Sequence, residues 1–161
     1  MNFLAATSTH HSDILELNEK AVPHVNSLSI GELGSLGSQS KIFSIALDDK
    51  GVVCGFLLTL DETATYSSPN YQYFLRRHPR FLYVDRIVVG DEFHGMGIGR
   101  SLYQNVIDEL ATQYPVLACE VNLSPPNPGS MAFHEKMGFR GVAEQETEGG
   151  SKRVLLMEKQ L

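Results

Sequence analysis

A glycine-rich turn, His94-Gly95-Met96-Gly97-Ile98-Gly99, connects a β-branched run ending at Val89 to a segment in which Leu102, Tyr103, Val106, Ile107 and Leu110 recur at helical spacing. Strand, glycine turn and amphipathic helix in that order commit this stretch to a sheet covered by helices. The start of a helix also leaves backbone N–H groups without intrahelical partners and carries partial positive charge. Glycines let successive amides curl toward a single anion placed there. Arg100 adds a charge at the same end. Taken alone, the turn is equally the tight corner that any strand-to-helix connection needs.

The surrounding pattern extends the reading. Residues 3–6 form a short first strand, and Ser12-Asp13 cap a helix through Ile14, Leu15, Leu17 and Ala21 that Pro23 ends. Residues 29–40, with glycines at 31, 34 and 37, are a loop or a weak helix. Two β-rich runs, 41–47 and 52–60, flank the turn formers Asp48-Asp49-Lys50-Gly51 and predict a hairpin. A polar segment, 61–80, follows. Its Tyr66, Tyr71, Tyr73 and Phe74 favour an ordered flap over a disordered loop.

Further strands are predicted over 81–89 and 116–122, a short helix over 128–137 between Asn127 and Gly138, and a closing hairpin from 139–143 and 153–157 around Gly149-Gly150. The strands before the glycine turn are antiparallel, and the two joined by its helix are parallel. The expected architecture is a single α/β (α+β) domain over 1–161, with a mixed, mostly antiparallel sheet and flanking helices.

Composition bounds the function. A chain of 161 residues with 42% hydrophobic content buries a real core, and a formal charge of −6 disfavours a nucleic-acid backbone as partner. Cys54 and Cys119 lie in apolar runs without CxxC spacing and read as core residues, so no metal is expected. The N-terminal residues lack a basic region and a long apolar stretch, and no segment reaches membrane-spanning length, so the reading is cytoplasmic with no membrane partner.

Other phosphate motifs do not fit. A P-loop requires Gly-Lys-Ser/Thr, whereas Gly99 is followed by Arg100-Ser101. A dinucleotide fold places its glycine turn after the first strand, and this turn comes late in the chain. The run Ile87-x-Val89-x-Asp91-x-x-His94-x-x-Gly97-x-Gly99 instead resembles the signature of the GNAT superfamily of CoA-dependent N-acetyltransferases, with His94 where the family usually has Arg or Gln. The segment from Asn127 to Phe139 is similar to that family's second cofactor motif.

The resemblance implies acetyl-CoA as acyl donor and a primary amine, on a small molecule or a protein, as acceptor. It gives Ile87, Val88 and Val89 to the pantetheine arm through their backbone, and His94, Gly95, Met96, Gly97, Ile98, Gly99 and Arg100 to the pyrophosphate. Asn127, Ser130 and Phe133 complete the cofactor contacts. Asn127 reads equally as the N-cap of the short helix, with Pro128 at its first position. The resemblance also implies association between subunits through the closing strands.

Amide formation from a thioester needs a neutral amine and a proton for the departing thiolate. The family commonly supplies that proton from a tyrosine on the short helix, and His134 holds the position here. It acts as an imidazolium, as a neutral hydrogen-bond donor, or only as packing. Strand alternation sets Ala118, Glu120 and Asn122 on one face, which makes Glu120 the leading base. Asp85, sharing a face with Tyr83 and Ile87, is the second candidate. The competing reading for either carboxylate is an ion pair with Arg86, Arg80 or another basic residue. By the same resemblance, substrate contacts come from 24–26 and 66–77, with Asn26, Tyr71 and Tyr83 as candidates. The alternative activity is a CoA-binding sensor or interaction module without catalysis, motivated by the missing tyrosine.

Overall fold

The computed structural model describes residues 1–161. Its strands are β1 (Asn2–Ala5), β2 (Ile42–Leu47), β3 (Val53–Asp61), β4 (Leu82–Val89), β5 (Val116–Ser124), β6 (Arg140–Thr147) and β7 (Lys152–Gln160). The helices are α1 (His11–Lys20), α2 (Ile30–Gln39), α3 (Pro69–Arg77), α4 (Ile98–Leu110) and α5 (Pro128–Lys136). The sheet has seven strands in the order β1-β2-β3-β4-β5-β7-β6. β4 and β5 are parallel, whereas β1 with β2, β2 with β3, β5 with β7 and β6 with β7 are antiparallel. This is the mixed, mostly antiparallel α/β architecture that the sequence predicts.

The chain forms two compact units, one of residues 1–60 and 84–110, the other of 61–83 and 111–161. In the first, Ile14 and Leu17 of α1, Leu33 of α2, Ile45 of β2, Val53 and Phe56 of β3 and Val88 of β4 form one apolar cluster. The β2–β3 hairpin turns as its residues dictate: Asp48 Oδ1 accepts from the amides of Lys50 and Val52, both at 2.8 Å, and Gly51 takes φ +82°. The segment left open between loop and weak helix is α2. Ser29 Oγ accepts from the Glu32 amide at 3.1 Å, and Glu32 Oε2 accepts from the Ser29 amide at 2.8 Å. α1 begins earlier than the Ser12-Asp13 cap, because a short 3-10 turn over Ser8–His10 leads into it.

In the second unit the polar segment read as a flap contains α3, which has Pro69 in its first turn and buries Asn70, Tyr71 and Phe74. Tyr71, Phe74, Phe81 and Tyr83 make an aromatic cluster with ring centroids 5.6–6.4 Å apart. The C-terminal end of α3 is held by β7, where Glu158 accepts from Arg77 Nε and pairs with His78 Nε2, both at 2.6 Å. Burial pushes the Glu158 carboxyl up, but the hydrogen bonds from His78 and Arg77 outweigh it and hold the group below its ordinary value.

Candidate active site

In the first unit the glycine turn has the form an anion cradle requires. Gly95 and Gly97 have φ +79° and +80°, values that L side chains rarely adopt, and no atom lies within 4 Å of where a Cβ would stand on either. The turn is exposed from His94 to Gly97, and buried Ile98 anchors it to the core. Ile98, Gly99 and Arg100 form the first turn of α4, so their amides have no intrahelical partners.

His94 folds back on the preceding strand, its Nε2 2.9 Å from the carbonyl oxygen of Val89. A carbonyl only accepts, so Nε2 carries the proton and the ring caps the end of β4. On β3, Gly55 permits a close approach. A Cβ there would stand 3.0 Å from Val88 O and 3.2 Å from Ile98 Cγ2. The Gly90 amide donates to Cys54 O at 2.9 Å, so the base of the turn is fixed from β3.

Asp85 and Arg86 form an ion pair at 2.8 Å, with side chains 3% and 4% exposed. Arg86 Nη1 also donates to Asn18 Oδ1 at 2.8 Å and to the carbonyl of Asn26 at 3.1 Å. Asp85 thus offsets a buried guanidinium. Asn26 takes part through its backbone, which this network fastens to β4.

In the second unit Tyr83 and Glu120 come together. Parallel pairing sets Tyr83 opposite Ala118, and Glu120 lies two residues further along the same face. Tyr83 is fully buried and its hydroxyl donates to Glu120 Oε2 at 2.6 Å, while Glu120 keeps partial exposure. A short bond of this kind holds the carboxyl group in one orientation.

His134 is 3% exposed, its ring edge-on to Phe133 at 5.1 Å and to Phe139 at 5.4 Å. Nδ1 lies 2.8 Å from the carbonyl of Ser130, so that nitrogen bears the proton. Burial pushes the pKa of the ring below its ordinary value, and the imidazolium is the minor form at neutral pH. Asn127 caps α5, its Oδ1 accepting from the Ser130 amide at 3.3 Å. Tyr71 is a core residue whose hydroxyl donates to the carbonyls of Asp61 at 2.7 Å and Ala64 at 3.0 Å, with no exposed surface to offer a substrate.

Two arrangements carry no signal in any single segment of the sequence. The Tyr83–Glu120 bond unites a tyrosine expected at the substrate with a glutamate expected as base; strand register supplies the signal. The Arg86–Asn18 bond spans 68 positions, and no local pattern announces it.

The fold and its glycine turn define a protein built like the acyl-CoA N-acyltransferases. Residues 14–139 match the model of the acetyltransferase (GNAT) family. The chain belongs to that family. Its structure is similar to Chaetomium thermophilum Naa20 in complex with a bisubstrate analogue, with a TM-score of 0.80, 19% identity, and coverage of 100% of this chain and 87% of that one. It also resembles the ribosomal-protein-S18-alanine N-acetyltransferase from Escherichia coli, with a TM-score of 0.73 and 17% identity over 99% of this chain and 92% of that one. A phosphinothricin acetyltransferase from Sinorhizobium meliloti in complex with AcCoA gives 0.73 and 17% over 99% and 88%. At these identities the likeness is one of fold. No curated protein sequence matches the chain. No helix is long and apolar enough to cross a membrane.

Proposed function

We propose that this protein transfers the acetyl group of acetyl-CoA to a primary amine of a small molecule or a protein, by direct attack within a ternary complex. The observation that carries the reading is the hydrogen bond from Tyr83 to Glu120 at 2.6 Å, which holds a partly exposed carboxylate in one orientation. Acetyl-CoA supplies the activated acyl carbon and the thiolate leaving group. The open, positive-φ glycines and the first amides of α4 fit its pyrophosphate, and the C-terminal end of β4 is given to the pantetheine arm.

An amine reaches an enzyme at neutral pH largely as ammonium, so a group must remove its proton before attack. Glu120 is given that task, directly or through water, with Tyr83 fixing the carboxylate. Asp85 is given the support of Arg86 instead. His134, neutral and bonded to its own helix, packs α5, and the departing thiolate takes its proton from water.

The test is kinetic. Glu120→Gln keeps the shape of the site but loses the base, and turnover is expected to fall about 10²-fold or more with acetyl-CoA affinity unchanged. Tyr83→Phe removes only the orienting hydroxyl and should cost less. Steady-state rates for both variants against one accepted amine check this, and a Glu120→Gln enzyme with the wild-type rate overturns the assignment of the base.

A further inference from the structure

We propose that the open edge of β1, with the groove beside it, docks an extended segment of a partner protein carrying basic side chains at alternate positions. β1 ends the sheet and pairs only with β2. The Ala6 amide donates to Phe43 O at 2.8 Å, in the same register that sets Leu4 opposite Ile45 and Asn2 opposite Leu47. Antiparallel ladders alternate, so Asn2, Leu4 and Ala6 turn their backbone groups toward β2. Phe3 and Ala5 turn theirs to the open edge. The strand is short, but neither a charge nor a proline within Asn2-Phe3-Leu4-Ala5 blocks that edge, and Leu4 is 39% exposed.

A groove of about 480 Å³ lies beside this edge. Phe3, Ala5, Ile42 and Ser44 line its strand side, and Asp108 and Glu109 at the C-terminal end of α4 line the other. Both carboxylates are exposed residues, one oxygen of Asp108 accepting from Gln104 at 2.7 Å. Lys41, where β1 stops, is the one cation of the lining. The hydroxyl of Ser44 is buried without a hydrogen-bond partner. Ten residues of helix, about 15 Å, separate this acidic end of α4 from the glycine turn, so the groove is remote from the proposed cofactor site.

A strand added to β1 gains main-chain hydrogen bonds from Phe3 and Ala5, and every second side chain of it drops toward the groove. Lysine or arginine at those positions meets Asp108 and Glu109. A second copy of β1 is a poorer occupant, because the residues it would send into the groove are apolar and leave both carboxylates unanswered.

The test uses the full chain labelled with ¹⁵N and an end-capped octapeptide of alternating valine and lysine, with a valine and glutamate counterpart. The lysine peptide should shift the amides of Phe3, Ala5, Asp108 and Glu109 with a Kd below about 1 mM, leaving the His94–Arg100 amides unmoved. The glutamate peptide should shift none. Asp108→Lys with Glu109→Lys alters two exposed side chains and should weaken binding at least tenfold. Ala5→Pro removes an outward N–H that β2 does not use, with the same expected loss. Unmoved Phe3 and Ala5 amides, equal binding of the glutamate peptide, or dimerisation of the wild-type chain that Ala5→Pro abolishes would each overturn the proposal. The readout involves neither acetyl-CoA nor turnover.

Discussion

His134 shows how burial decides what a residue type can do. The sequence supplies a histidine at the position where the family usually has a proton donor, but the geometry encloses its ring between Phe133 and Phe139 and ties Nδ1 to Ser130. His134→Phe is therefore expected to turn over within about threefold of wild type, far from the 10²-fold loss of a general acid. A stability test accompanies it. Below pH ~6.5 the unfolded chain protonates this ring while the folded chain resists, so His134 weakens the fold as pH falls from about 7 to 5. The Phe variant lacks that slope. Melting temperatures of both proteins at pH 7 and pH 5 check the sign, and equal losses on acidification contradict it. The identities of the candidate residues are legible in the sequence, and so is Arg86 as an alternative partner for a carboxylate; which reading holds for which residue is not. Asp85 and Glu120 both read as carboxylates on accessible strand faces, and the fold pairs Asp85 with Arg86 and Glu120 with Tyr83.

The elements divide by how much local sequence each one carries. The glycine turn, its helix and the β2–β3 hairpin were read correctly because turn chemistry and periodicity agree there. α3 is hard to read because it has only nine residues, with Tyr71, Phe74 and Leu75 as its single helical stripe inside a polar segment, although Ser68-Pro69 is a helix-start signal. α2 stayed ambiguous because its glycines dilute the pattern that the Ser29–Glu32 capping box resolves. Gly97→Glu forces a side chain onto a residue at φ +80° and fills the open face of the turn, so it should abolish the CoA-induced rise in melting temperature with the apo protein still folded. An unchanged rise would place the cofactor elsewhere. Gly55→Ala sets a methyl 3.0 Å from Val88 O, backbone that cannot rotate aside. It should destabilise the protein by about 1–3 kcal/mol, measured by urea unfolding, and weaken CoA binding through the displaced end of β4.

For the whole molecule, the order of elements proved more legible than their contacts. Hairpins, a helical crossover and a closing hairpin constrain strand direction strongly, and the observed directions follow from them; that β7 rather than β6 pairs with β5 does not. Family membership rests on residues 14–139 and supplies the general chemistry; the acceptor depends on surfaces that sequence patterns do not encode. Amine-dependent acyl transfer is tested on the wild-type protein itself. The wild-type protein is incubated with acetyl-CoA and a panel of free amino acids, small polyamines and peptides with free N-termini, and thiol release is followed alongside mass detection of the acetylated product. At least one amine is expected to release thiol well above the amine-free background, with stoichiometric acetylated product. A protein that gains thermal stability from CoA, yet releases no thiol above background with any amine, would contradict it and leave a CoA-binding module without transferase activity.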